Sequence, residues 1–142
     1  MEPDELFGDD LRVINIRAKD RWEAIDELIS DAVTAGRIKP EHREPIRAAV
    51  VKRETAMSTG IGFGIAVPHA STNLVSEIVT TVGRSRTGVQ FEALDGQPVH
   101  LVFFFLVPEG EFQKYVNVLA SITKSLHGPE FRDYLKRRFG DS

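Results

Sequence analysis

The sequence predicts an α/β fold in which helices sandwich a mixed β-sheet. Apolar residues recur at helical spacing over residues 25–33, whereas residues 99–107 form an almost unbroken apolar run. The first pattern is typical of an amphipathic helix, and the second of a central strand that is covered on both faces. The segments that resemble strands are spaced too irregularly for a fully parallel sheet. A mixed sheet with helices packed on its faces therefore fits best.

Length and composition predict one globular domain over residues 1–142, with an acidic lead-in over 1–10 that we expect to be frayed. The chain has 142 residues, of which 42% are hydrophobic and 27% charged, ordinary values for a globular protein. The absence of cysteine excludes disulfides, thiolate metal sites and cysteine nucleophiles.

A net charge of −3 argues against nucleic-acid binding. No secretion signal or membrane-length apolar run is found, so we expect a cytoplasmic protein without membrane insertion.

A first helix is predicted after Asp20. Asp20 and Glu23 have the spacing of a capping box, and Gly36 stands where a helix commonly ends. The apolar positions between them follow one helical face: Ile25, Leu28, Ile29, Ala32 and Val33.

A second helix is predicted from Glu41 or Glu44 to Ala56, with Pro45 tolerated in its first turn. Its apolar stripe consists of Ile46, Ala49, Val50 and Met57. Arg53 falls on the same stripe. A guanidinium on a core-facing surface is costly unless an anion meets it. Alternatively, the side chain reaches solvent past the end of the stripe.

The remaining elements are shorter or nearer the C-terminus. The patterns predict strands over residues 13–16 and 77–84, a further short strand around 89–91, a turn at 95–96, a third helix over 112–126 and a fourth over 129–140.

Three alternating glycines, Gly60, Gly62 and Gly64, precede the pair Pro68-His69. A dinucleotide fingerprint is excluded because Ile65 stands where its third glycine belongs, and the Lys-Ser/Thr pair of a P-loop is missing. The simplest interpretation is a turn in which backbones approach closely.

His69 is the candidate for chemistry, because it lies at a strand end beside this glycine segment. A single histidine is also often structural or merely exposed. Its spacing to His42, His100 and His127 does not suggest a metal site, and no serine-hydrolase elbow is present.

Residues 53–69 together give the pattern R-E-x-x-x-S-T-G-I-G-x-G-I-A-x-P-H. This pattern resembles the signature of enzyme IIA domains of the bacterial phosphoenolpyruvate-dependent phosphotransferase system, of the fructose/mannitol and nitrogen-regulatory type. The similarity extends to the apolar strand 102–108, to Leu119-Ala120 and to Phe131-Arg132. It implies the mannitol-type enzyme IIA fold, a mixed sheet between helices.

The resemblance also implies roles for individual residues. His69 would accept a phosphoryl group from the phosphocarrier HPr or its nitrogen-branch relative, and Arg53 would stabilise the phosphohistidine. Backbone N–H groups of the glycine segment and the Thr59 hydroxyl are candidates to hold the remaining oxygens. Ser58 and Glu54 are expected mainly to hold the turn. No metal or cofactor is implied, because the phosphoryl group moves between two histidines.

The sequence departs from the family pattern at Tyr115. A second histidine is common there, and a tyrosine can donate a hydrogen bond but cannot become cationic. We therefore expect Tyr115 to support the transfer less well than a histidine does.

Three functions are compatible with the resemblance. In the first, phosphorylation of His69 switches which regulatory protein the chain binds. In the second, the chain passes the phosphoryl group to a separate enzyme IIB of the fructose/mannitol class. In the third, the fold persists without transfer chemistry. The stand-alone length and Tyr115 favour regulation.

Overall fold

The structure, a computed structural model, describes residues 12–62, 64–111 and 113. Within these ranges it contains two helices, one 3-10 turn and six strands. In chain order they are β1 (Arg12–Asn15), α1 (Arg21–Thr34), the 3-10 turn (Pro40–His42), α2 (Arg43–Ala56), β2 (Gly60–Gly62), β3 (Ile65–Ala66), β4 (His69–Thr72), β5 (Val79–Val89) and β6 (Val99–Pro108). The predicted third and fourth helices and the acidic lead-in lie outside the described residues.

Helix α1 confirms its prediction at both ends. The carboxylate of Asp20 accepts a hydrogen bond from the N–H of Glu23 at 2.9 Å, which satisfies one of the free donors of the first turn. The carboxylate of Glu23 reaches back to the N–H of Lys19 at 3.4 Å. The helix ends before Gly36, whose φ of +78° suits a residue without a Cβ. Its buried face consists of Ala24, Ile25, Leu28, Ile29 and Ala32.

Helix α2 begins at Arg43, after the 3-10 turn, and places Pro45 in its first turn as predicted. Ile46 and Val50 are fully buried. The assignment of Met57 to the apolar stripe is wrong. Met57 has extended backbone angles and follows the last helical residue, so helical spacing no longer applies to it. Its side chain is 68% exposed.

The sheet is mixed, as predicted. Its order is β1-β5-β6-β3-β2, and β4 also pairs with β6. Strand β1 runs parallel to β5, and both β3 and β4 run parallel to β6. Strand β5 is antiparallel to β6, and β2 is antiparallel to β3.

Strand β5 corrects one prediction. Residues 77–84 and 89–91 were expected to form two strands, but a single strand runs from Val79 to Val89. A register shift between Arg84 and Val89 interrupts its pairing with β6. Such an irregularity breaks the alternating pattern without ending the strand. Phe91 lies beyond the strand and is buried.

Strand β6 is covered on both faces, as the apolar run indicated. Val102, Phe104 and Leu106 belong to the core that α1 and α2 share with the sheet, whereas Phe103, Phe105 and Val107 alternate with them. All six side chains are buried. Helix α1 packs on β5 and α2 packs on β4. In the part of the chain that the structure describes, no helix is long and apolar enough to cross a membrane.

Replacement of Asp20 by alanine should lower the free energy of unfolding by about 0.5–2 kcal/mol, because the N–H of Glu23 loses its acceptor. Urea unfolding followed by circular dichroism measures the change. Asp20→Asn is the matched control, since asparagine retains a capping oxygen and should remain close to the wild type. Equal losses in both variants would contradict the capping role.

Candidate functional site

The alternating glycines form a hairpin of β2 and β3. Gly62 and Gly64 have φ values of +96° and +77°, which few other residues adopt at low cost. A Cβ on Gly60 would lie 2.8 Å from the Cβ of Ala93 and 2.9 Å from its Cα. The expected close approach of backbones is therefore confirmed at Gly60.

Strands β3 and β4 follow one another along the same edge of β6. Ile65 pairs with Leu101 and His69 pairs with Phe105, so the register continues across residues 67–68. In that gap the N–H of Val67 donates to the carbonyl of Thr59 at 3.0 Å, and the carbonyl of Pro68 accepts from the N–H of Phe105 at 3.1 Å. The segment before His69 is thus held from both sides.

His69 is the first residue of β4 and is half-buried. Its Nδ1 lies 2.8 Å from the carbonyl oxygen of Val67. A carbonyl oxygen can only accept, so Nδ1 must carry the hydrogen and the neutral ring must have its lone pair on Nε2. The geometry therefore leaves Nε2 as the nucleophilic atom.

The pKa of His69 is lowered from 6.5, chiefly because burial disfavours the charged ring. The positive charge of Arg53 lowers it further, whereas the hydrogen bond to Val67 and the charge of Glu54 act in the opposite direction. The ring is consequently neutral near pH 7, with Nε2 unprotonated.

Arg53 lies in the last turn of α2, the helix that packs on β4, and His69 is the first residue of that strand. The side chain is half-buried, and its Nη1 donates to the carbonyl of Met57 at 2.9 Å. The guanidinium reaches the Met57 carbonyl at the end of the stripe, which agrees with the second interpretation of the sequence, whereas an anionic partner of Arg53 stays a prediction. A guanidinium has five N–H donors, and the hydrogen bond to Met57 uses one of those of Arg53.

Glu54 holds the turn, as expected, but its burial was not predicted. Its side chain is 1% exposed. It accepts hydrogen bonds from the N–H and the hydroxyl of Thr59 at 2.8 and 2.6 Å, and it pairs with Arg21 at 3.4 Å. A signal was available in the sequence, since Glu54 continues the i, i+4 row of Ile46 and Val50.

The Thr59 hydroxyl is therefore engaged with Glu54, and its predicted contact with a phosphoryl group stays a prediction. Ser58 holds the same turn. Its hydroxyl donates to the carbonyl of Phe91 at 2.5 Å and accepts from the N–H of Gly60 at 3.1 Å. Tyr115 lies outside the described residues, so its supporting role also stays a prediction.

Residues 5–141 match the profile of the family described as "Phosphoenolpyruvate-dependent sugar phosphotransferase system, EIIA 2". The chain belongs to this family. The resemblance found in residues 53–69 is thus confirmed across almost the whole length of this EIIA-type domain.

Its relatives include both sugar-specific and regulatory proteins. The chain is 37% identical to the fructose-specific EIIABC component of Bacillus subtilis over 95% of its own length and 21% of that relative's. It is 37% identical to the fructose-specific EIIA component of Haloferax volcanii, over 79% of this chain and 71% of the relative. A nitrogen regulatory protein of Bradyrhizobium diazoefficiens is 28% identical, over 85% of this chain and 77% of the relative. The chain therefore spans only about a fifth of the Bacillus protein.

Solved structures agree with the fold. Nitrogen regulatory protein IIA-Ntr from Neisseria meningitidis superimposes with a TM-score of 0.73 at 26% identity, covering 87% of this chain and 82% of that one. IIA mannitol from Escherichia coli superimposes with a TM-score of 0.68 at 22% identity, covering 92% of this chain and 88% of that one. A complex of Escherichia coli enzyme IIAMTL and phosphorylated enzyme IIBMTL gives 0.60 at 23% identity, covering 91% and 94%. The predicted mannitol-type enzyme IIA fold is confirmed.

Replacement of Arg53 by alanine should raise the pKa of His69, because a neighbouring positive charge is removed. Titration of the His69 ring resonances by NMR, assigned with His69→Ala, measures the shift. Arg53→Lys keeps the charge and should move the pKa less. A pKa that is unchanged or lower in Arg53→Ala would contradict the electrostatic coupling.

Because the pKa of His69 is lowered in the folded protein, the free energy of unfolding depends on pH. Unfolded His69 titrates near 6.5, so below that pH the unfolded chain binds this proton more readily than the folded one. The contribution of His69 to stability is therefore complete above 6.5 and decreases as the pH falls toward the folded pKa.

Proposed function

We propose that this EIIA-type domain accepts a phosphoryl group on Nε2 of His69 from an HPr-type phosphocarrier. The observation that carries the proposal is the hydrogen bond from Nδ1 of His69 to the carbonyl of Val67 at 2.8 Å. It fixes the ring and leaves the Nε2 lone pair available for attack. The proposal includes a cytoplasmic location, where this phosphotransfer system draws on phosphoenolpyruvate.

In the proposed step, the Nε2 lone pair of His69 attacks the phosphorus of a phosphohistidine on the donor. The N–P bond to the donor breaks, and its electron pair returns to the donor imidazole. His69 keeps its Nδ1 proton, and the ring becomes more positive as the new Nε2–P bond forms. The carbonyl of Val67 stabilises that charge because it already accepts the Nδ1 hydrogen bond.

Arg53 supplies the positive charge for the phosphoryl oxygens. Phosphoryl transfer passes through a loose transition state, so catalysis consists mainly of positioning and of stabilising charge. The guanidinium fork can pair with two oxygens at once. Among the described residues Arg53 donates one hydrogen bond, to Met57, which leaves further N–H groups for the phosphoryl group. The same charge adds to the effect of burial, which lowers the pKa of the His69 ring.

Two uses of the phosphorylated domain are supported by different relatives. Similarity to a nitrogen regulatory protein and to IIA-Ntr favours a regulatory role, in which phosphorylation of His69 changes the protein partner. Similarity to fructose-specific components, at 37% identity, favours transfer to an enzyme IIB. Addition of a fructose-class enzyme IIB to the phosphorylated protein separates them: rapid loss of the phosphoryl group indicates sugar transport, and its retention indicates regulation.

Incubation with phosphoenolpyruvate, enzyme I and HPr should add one phosphoryl group to the protein, stable in alkali and lost in acid. Intact-mass spectrometry follows the addition, which His69→Ala should abolish. His100→Ala is a matched control, because Nδ1 of this exposed histidine also bonds a carbonyl, that of Ser85, at 2.9 Å. A mass shift that persists in His69→Ala would refute the assignment.

Replacement of Arg53 by lysine should slow phosphorylation about tenfold or more while the fold stays intact. The charge remains but the fork geometry is lost, and a charge-assisted hydrogen bond is worth about 1.5–3 kcal/mol. Rapid-quench rates measure the effect. Arg47→Lys on the same helix serves as the control, since Arg47 pairs with Asp26 instead. Unchanged rates in both Arg53→Lys and Arg53→Ala would remove Arg53 from the mechanism.

A further inference from the structure

A buried carboxylate stands at the base of the glycine hairpin. Glu54 is 1% exposed on a row of α2 otherwise occupied by Ile46 and Val50. An aliphatic residue would continue that row at less cost, because a buried charge loses its hydration and a buried ion pair often adds little net stability. Stability therefore gives a weak reason for a glutamate here.

The donors around Glu54 show what the carboxylate holds. One oxygen accepts the Thr59 hydroxyl at 2.6 Å, and the other accepts the Thr59 N–H at 2.8 Å. Arg21 approaches the second oxygen at 3.4 Å. Arg21 is itself restrained, since its guanidinium lies 4.4 Å from the ring centroid of Trp22 and its backbone N–H donates to the carbonyl of Gln90 at 3.1 Å. The backbone N–H and the hydroxyl of Thr59 are thus both held by the carboxylate of Glu54.

Two hydrogen bonds, joined through the backbone of Val67, connect Thr59 with the histidine. The carbonyl of Thr59 accepts from the N–H of Val67 at 3.0 Å. The carbonyl of Val67 accepts from Nδ1 of His69 at 2.8 Å. Pro68 separates Val67 from His69, and its ring limits backbone rotation between the two. A shift of Thr59 would therefore turn the Val67 carbonyl away from the imidazole.

We propose that Glu54 is a positioning residue that acts through Thr59 and Val67 to set the ring orientation and tautomer of His69. The inference rests on the proposed function for its effect on transfer, whereas the tautomer is a property of the protein before any phosphorylation. Glu54 does not touch the phosphoryl group in this scheme.

The test compares Glu54→Gln with the wild-type chain. Glutamine has nearly the same shape, but its amide nitrogen is a donor and cannot accept from Thr59. Imidazole 15N chemical shifts, recorded near pH 8 where the ring is neutral, report the His69 tautomer. We expect the wild type to show the Nδ1–H form and Glu54→Gln to show a mixture. Phosphorylation by phospho-HPr should slow about tenfold.

Two threonine variants and one control sharpen the test. Thr59→Ser keeps both donors and should retain the wild-type tautomer. Thr59→Val deletes only the hydroxyl and should give a smaller change of the same kind. Glu44→Gln removes an exposed carboxylate from the same helix and should change neither measurement.

A folded Glu54→Gln protein that retains a pure Nδ1–H tautomer would overturn the proposal, whatever its rate, because the carboxylate would then act only on general stability. If Glu54→Gln fails to fold, Thr59→Val is judged by the same criterion. If wild-type His69 accepts no phosphoryl group, the proposed function fails, yet the tautomer populations still decide the role of Glu54.

Discussion

The pairing of β6 with three other strands is the constraint on which the rest of the described structure depends. Strands β3, β4 and β5 all form hydrogen bonds with it, and its side chains are buried on both faces. The helices pack on the neighbouring strands β5 and β4. His69 takes its position from the same source, since it lies opposite Phe105. A site placed on a paired strand is held more firmly than one on a free loop.

Much of this fold was predictable from the sequence because its strongest signals are local. The cap at Asp20 and the apolar run from Val99 to Val107 gave the first helix and the central strand. The errors came where a local pattern ended or was interrupted. Met57 was placed on a helix that stops one residue earlier, and β5 was divided because its pairing shifts between Arg84 and Val89.

The site was predictable in its chemistry but not in its support. The motif containing Arg53 and His69 indicated the phosphoryl acceptor family, and α2, which carries Arg53, packs on β4, which begins at His69. The carbonyl partner of Nδ1 lies in the gap between β3 and β4 at residues 67–68, whose backbone geometry no residue pattern specifies. The burial of Glu54 could have been predicted from its apolar row, but its partner Arg21 lies 33 residues away in the chain, and only the tertiary structure brings it to the carboxylate.

The register of β4 on β6 has a consequence for the order of events during synthesis. His69 and its pairing partner Phe105 are separated by the connection after β4, the long strand β5 and the loop that leads to β6. Contacts between distant residues form late, because the intervening chain must first be closed into a loop. A nascent chain that has not yet emerged to Val99 therefore carries the complete motif without the strand that places its histidine. His69 should become able to accept a phosphoryl group only when β6 docks. By then the motif at residues 53–69 has long been synthesised.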